Sequence, residues 1–248
     1  MAEQKTDSIC EKITFSSEGF ALKGYLHLPA GKSVRHPVVI GSHGLLSTGN
    51  SQKQIALAEV CNKYSIAFFR FGHRGCGESQ GNFRDVTSLE ARHRDLISAA
   101  ETVRSRNDIG KQTGLFGSSM GGATCLSAAK ILGVHAIVTF AAPIRSNSIV
   151  KAVENPGDSD MSESLIDREK LQFDISDRLY EIHNILIFHG DSDTVVPPSQ
   201  AVELYEKAGE TKKLVMQERG DHPMNNTKHQ EIFMKETVAW FRKFLVSS

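Results

Sequence analysis

The sequence predicts an α/β fold: a mostly parallel eight-stranded sheet flanked by helices, with a small inserted lid. Three observations carry that expectation. From residue 37 onward, short apolar runs alternate with segments of helical period, which implies parallel strands with helices on both faces. The two earlier runs alternate apolar and polar residues around a Ser-Glu-Gly turn at 17–19, as an antiparallel pair does. Finally, Gly117-Ser118-Ser119-Met120-Gly121 joins an apolar run directly to a helix, which sets a serine on a sharp corner at the top of a sheet.

The antiparallel pair covers 12–15 and 21–28, and Pro29 and Gly31 punctuate its exit. Residues 37–42 are a continuous apolar run of the kind buried on both faces. A helix at 52–64 leads to a strand at 66–69, and a helix at 88–104 leads to a strand at 114–116. The helix after the corner, 119–131, leads to a strand at 136–140. Strand 184–188 precedes helix 199–208, and strand 213–216 precedes a closing helix at 228–245. Between about 142 and 180 the rhythm breaks around Pro156-Gly157-Asp158. That interval is read as a lid over the carboxyl ends of the strands, where open α/β sheets bind ligands. The chain, 1–248, reads as one domain.

Basic and acidic residues balance at 29 each with no long run of either sign, so no nucleic-acid partner is expected. Residues 1–8 are polar and unlike a secretory signal. No apolar stretch approaches the roughly 20 residues that span a bilayer, so no membrane is expected and a cytoplasmic protein is. Cys10, Cys61, Cys76 and Cys125 lack the spacing of a zinc site or disulfide framework. Cys61 and Cys125 fall in helical patterns as buried thiols, and Cys76 is read as a loop thiol near the site rim.

The corner selects Ser119 as a candidate nucleophile. Gly117 and Gly121 flank it at two residues either side, whereas Ser118 has Phe116 and Met120 at those offsets. Serine is a weak nucleophile at neutral pH and needs a histidine base held by a carboxylate. The loop after strand 184–188 offers Asp191 and Asp193, and spacing favours Asp193 because Val195 and Val196 can re-anchor the loop behind it. The loop after strand 213–216 offers His222, while His229 is placed on the polar face of the last helix. An oxyanion needs two backbone donors. They are assigned to Met120, which follows the nucleophile, and Leu45 in His43-Gly44-Leu45-Leu46. His43 precedes Ser119 and is read as packing under that loop.

Together these pieces resemble the α/β-hydrolase superfamily, and nearly the whole chain takes part. His43-Gly44, the Gly117–Gly121 corner, Gly190-x-x-Asp193-x-x-Val196-Pro197 and Gly220-Asp221-His222 carry the resemblance. In the family pattern the catalytic carboxylate matches Asp193. The stretch from Arg70 to Ser79 is similar to the family's D-x-R-G-x-G-x-S loop, with Gly72 in place of the aspartate. Within the superfamily the chain resembles small-lid carboxylesterases of the cinnamoyl or feruloyl type and serine aminopeptidase-like hydrolases. The resemblance implies a serine carboxylester hydrolase with Ser119, Asp193 and His222 as its triad, needing no cofactor or metal. Thioesterase or peptidase chemistry would use the same triad, and a non-catalytic ligand-binding protein would reuse the fold. The expected substrate is an ester with a small or medium acyl group or an aromatic acid, in a pocket lined by Leu46, Met120, Val195 and Met224, with the lid residues Ile144 and Phe173 opposite. A small-molecule ester is the expected partner, and a homodimer is compatible with the chain.

Overall fold

The antiparallel pair is β1 (Ile9–Ser17) and β2 (Phe20–Leu28), joined by Glu18 and Gly19 at φ 47° and 85°. Two left-handed residues give the mirror-image turn whose twist matches that of the flanking strands. The computed structural model describes residues 9–30, 35–149 and 167–246. Its further strands are β3 (His36–Ser42), β4 (Ala67–Phe71), β5 (Ile109–Ser118), β6 (Ala136–Phe140), β7 (Ile185–Gly190) and β8 (Lys212–Gln217). Its helices are α1 (Gln52–Asn62), α2 (Phe83–Val86), α3 (Leu89–Arg104), α4 (Met120–Leu132), α5 (Pro198–Lys207) and α6 (Thr227–Leu245). A 3₁₀ helix spans Ser176–Glu181.

The strands form one sheet in the order β1-β2-β4-β3-β5-β6-β7-β8. β2 runs antiparallel to both β1 and β4, and every other pairing is parallel. The central strands β4, β6 and β7 are buried at every position, as their predominantly apolar sequences suit. Side chains still alternate between the faces. Val39, Phe116, Val138 and Phe140 pack beneath α1 and α6, with Leu57, Cys61, Phe233 and Phe241. Val38, Ile40 and Leu115 pack beneath α3 and α4, with Leu96, Ala99 and Cys125.

Local chemistry sets the helix ends. Ser51, Ser88 and Asn226 each accept a backbone N–H of the first turn through their side chains. Gly133 closes α4 at φ 56°. Because β3 to β8 share a direction, the segments leaving β3, β4, β5, β7 and β8 collect along one edge of the sheet.

The elements depart from expectation in two places. β5 begins at Ile109 rather than 114, because polar residues 110–113 still extend alongside β3 past a register shift at its start. The short α2 carries no buried residue, so nothing in its pattern marks it. Of the lid interval 142–180, residues 150–166 lie outside the described residues. The described flanks hold each other. Arg145 bridges to Asp174, Ser146 N–H donates to the Phe173 carbonyl at 3.0 Å, and Ile175 N–H donates to that of Ile144 at 3.0 Å. The first flank is tied to α5: the N–H groups of Ile144 and Arg145 donate to Gln200 Oε1, and the Arg145 guanidinium pairs with Glu203. No helix among the described residues is long and apolar enough to cross a membrane.

Candidate active site

Ser119 sits between β5 and α4 at φ 51° and ψ −126°, a conformation that L-residues adopt only under strain. Its glycine neighbours make the corner sterically feasible. A Cβ on Gly117 would lie 2.3 Å from the Gly121 carbonyl oxygen, and one on Gly121 would lie 2.1 Å from that of Ser42. Ser119 N–H donates to the Phe140 carbonyl at 2.8 Å, which fixes the corner against β6. Its side chain does not cap α4 and is free to point elsewhere.

It points to His222. Ser119 Oγ lies 3.1 Å from His222 Nε2, and His222 Nδ1 lies 2.7 Å from Asp193 Oδ2. A carboxylate accepts, so Nδ1 carries the proton and Nε2 presents its lone pair to the serine. The structure thus brings together Ser119, His222 and Asp193 from the loops after β5, β8 and β7. Asp191, the alternative carboxylate, is exposed and bonded to Ser192 Oγ at 2.9 Å.

The Asp193 side chain is buried, and its Oδ1 accepts the N–H groups of Val195 at 2.9 Å and Val196 at 2.8 Å. Burial alone would raise its pKa. Hydrogen bonds from His189 and His222, with the Val196 N–H, outweigh it and hold the carboxyl well below its ordinary value. His189 was not singled out from the sequence. Its Nε2 lies 2.8 Å from the Val196 carbonyl and 3.3 Å from Asp193 Oδ2, which makes it a second donor behind the carboxylate. Gly190 and Gly220 bring the two loops together, since a Cβ on Gly190 would lie 2.1 Å from the Gly220 carbonyl oxygen.

Leu45 and Met120, the assigned oxyanion donors, are both buried beside the corner and share one hydrophobic cluster. His43 lies under its loop as expected, with Nδ1 2.8 Å from the Gly44 carbonyl and Nε2 accepting from His73 N–H at 3.1 Å. Leu46 is exposed and Val195 half-buried. Two expected lining residues enter the core instead. Met224 is 1% exposed and packs into the core with Phe188 and Phe233. Ile144 is wholly buried, in one hydrophobic cluster with Leu45, Met120 and Ala142. Phe173 faces a cavity of about 300 Å³ with Leu89, His93, Ser127 and Arg178, a lining that does not include Ser119. Two smaller expectations also change. His229 is buried rather than on a polar face, and Cys76 is buried beside Arg92, where burial raises its thiol pKa.

The missing aspartate at Gly72 has a steric reason: a Cβ there would lie 2.7 Å from the Cys76 carbonyl oxygen. Other bonds hold this loop. Ser79 Oγ donates to the Gly72 carbonyl at 2.6 Å, and Arg74 pairs with Asp95 through two nitrogens at 2.9 and 2.7 Å. Among the described residues no group of His, Cys, Asp or Glu is arranged to hold a metal ion.

Behind the His222 loop, Lys53 Nζ stands 4.1 Å from the centre of the Phe140 ring. Burial pushes its pKa down to about 8, with Asp221 pulling the other way. The unfolded lysine titrates near 10.4, so at pH 7 the fold bears the cost of this charge and is relieved of it as pH rises from 8 toward 10. Lys53→Met is therefore expected to melt about 2–4 °C higher than wild type at pH 7. The gap should close by about pH 10. Thermal melts across that range check it, and a lower melting point at pH 7 would contradict it.

A serine on a strained strand-to-helix corner, in an eight-stranded sheet whose second strand alone runs antiparallel, gives this chain the α/β-hydrolase fold. The serine aminopeptidase, S33, family model matches residues 34–156. The uncharacterised protein YfhR of Escherichia coli O157:H7 is 28% identical over 241 residues, covering 92% of this chain and 79% of that protein. The rat (Rattus norvegicus) palmitoyl-protein thioesterase ABHD10 is 34% identical over 95 residues, covering 38% of this chain and 30% of that protein. Among solved structures, Est1E from Butyrivibrio proteoclasticus with ferulic acid bound superposes with a TM-score of 0.78 at 19% identity. That match covers 95% of this chain and 100% of that one.

Proposed function

We propose that this protein is a serine hydrolase that cleaves carboxylic esters of small or medium acyl groups through an acyl-enzyme. The observation that carries the reading is the continuous hydrogen-bond chain from Ser119 Oγ through His222 to the buried Asp193 carboxylate. Ser119 Oγ attacks the acyl carbon while His222 Nε2 takes the hydroxyl proton, and Asp193 stabilises the imidazolium so formed. The N–H groups of Leu45 and Met120 receive the oxyanion. Met120 is the first residue of α4, so the helix dipole adds positive potential where that charge develops. Collapse of the tetrahedral intermediate breaks the ester C–O bond, and the alcohol leaves with the proton held on His222. Water then attacks the acyl-enzyme by the same steps in reverse, releasing the acid and restoring Ser119. Leu46, which is exposed, and Val195, which is half-buried, would line the acyl pocket.

The similarity to the rat palmitoyl-protein thioesterase supports a second reading, thioester hydrolysis, by identical steps with a thiolate leaving group. The experiment is a panel of p-nitrophenyl esters of rising chain length, methyl hydroxycinnamates, acyl thioesters and aminoacyl amides. Each is assayed with wild type and Ser119→Ala. Fastest turnover of short-chain oxygen esters supports the proposal, faster thioester cleavage selects the second reading, and equal rates in both proteins overturn both. Further proposals are a cytoplasmic location, tested by fractionation, a homodimer, tested by light scattering, and action on a small molecule without nucleic acid or membrane.

A further inference from the structure

We propose that Arg92, on α3, is the positioning residue of the oxyanion pocket, clamping the 43–45 backbone so that the Leu45 N–H faces Ser119. The inference rests on the serine-hydrolase reading and extends it to a side chain that touches no substrate. Arg92 is 1% exposed, yet no carboxylate among the described residues hydrogen-bonds to it. Its donors are spent on main chain. Nη1 donates to the His43 carbonyl at 3.0 Å and Nη2 to the Leu45 carbonyl at 3.0 Å, with Nη1 also 3.5 Å from the Gly44 carbonyl. Nη2 further lies 3.8 Å from Cys76 Sγ, and Nε has no partner.

The geometry converts carbonyl clamping into amide direction. A peptide unit is planar and trans, so its N–H projects opposite its C=O. The Gly44 carbonyl belongs to the same unit as the Leu45 N–H. It is pinned by His43 Nδ1 at 2.8 Å and by Ser47 N–H at 3.3 Å, with Arg92 beyond. Gly44 itself borders the nucleophile, since a Cβ there would meet Ser119 Cβ at 3.7 Å. With the carbonyls of 43, 44 and 45 drawn toward α3, the intervening N–H is presented on the other side. α3 also carries Asp95, one turn on, which holds Arg74 of the neighbouring loop, so one helix braces both loops over the edge. An apolar side chain would fill the same space without burying an unpaired cation, which argues that the fork itself has a task.

The experiment compares wild type, Arg92→Lys and Arg92→Met for kcat and KM on p-nitrophenyl acetate, with melting curves for each. In parallel, the Leu45 amide of ¹⁵N-leucine-labelled wild type is followed as Ser119 reacts with a fluorophosphonate. The clamp expects kcat to fall about 10- to 100-fold in both variants, KM to change by less than about threefold, and the Leu45 amide to shift downfield on phosphonylation. Lysine, with one point donor, should retain more kcat than methionine. Folded variants with wild-type kcat, or an unmoved Leu45 amide in phosphonylated wild type, overturn the inference while leaving the hydrolase reading intact. Should the variants fail to fold, the wild-type amide decides. Wild type that neither hydrolyses the ester nor reacts with the probe overturns the hydrolase reading, and the clamp with it.

Discussion

Ser119→Ala is expected to lower ester turnover by about 10⁴- to 10⁶-fold while leaving the protein folded. Under the proposed mechanism the loss is large because Ser119 Oγ forms the acyl bond, and among the described residues no other hydroxyl hydrogen-bonds to His222. The protein keeps its fold because the side chain serves no structural bond: it does not cap α4, and the corner is held by the Ser119 backbone instead. A companion variant separates chemistry from strain. At φ 51° and ψ −126°, glycine is at ease where serine is not. Ser119→Gly should be equally inactive yet about 1 kcal/mol more stable than wild type in urea titrations. Equal or lower stability would show that the corner stores no strain.

Asp193→Asn is expected to cost about 10⁴-fold in kcat with a nearly isosteric side chain. The carboxylate accepts from His222 Nδ1, His189 Nε2 and two backbone N–H groups, so it is surrounded by donors. An amide must aim its own N–H groups at one of them. If His222 answers by moving its proton to Nε2, it can no longer take the serine proton. The same bonds predict a pH dependence of stability. The folded carboxyl has a lowered pKa, so its contribution is complete above the unfolded value of about 4 and is lost as pH falls below it. Urea midpoints of wild type should therefore drop more steeply than those of Asp193→Asn between about pH 5 and pH 3. Parallel slopes would contradict the assignment.

The fold was legible because its signals are periodic. Apolar runs such as Val38-Val39-Ile40 and 136–140 read as strands buried on both faces, and they are. The start of β5 was hidden because Gly110-Lys111-Gln112 has no strand composition and falls in the register shift between the His36–Ile109 and Val38–Thr113 pairs. The candidate site was legible where chemistry leaves few choices: a serine between two glycines, and single loops for the acid and the base. Its surroundings were not. Met224 and Ile144 are apolar residues near the site in sequence, but an apolar side chain fits a pocket wall and a packed core equally well, and both entered the core. Arg92 and His189 fail the opposite way. A charged helical residue reads as solvent-facing, and only folding shows that three loop carbonyls converge on it. His189 ends a strand, where its contact with Asp193 depends on a loop closing back over four residues.

The central claim is that His222 activates the hydroxyl of Ser119. It is tested most directly by titrating the intact protein with a fluorophosphonate and mapping the adduct by mass spectrometry alongside residual esterase activity. The account expects one phosphonyl group, on Ser119, with activity lost in proportion to labelling and no labelling of Ser119→Ala. Activity that survives complete labelling, or equal labelling of wild type and Ser119→Ala, would contradict it.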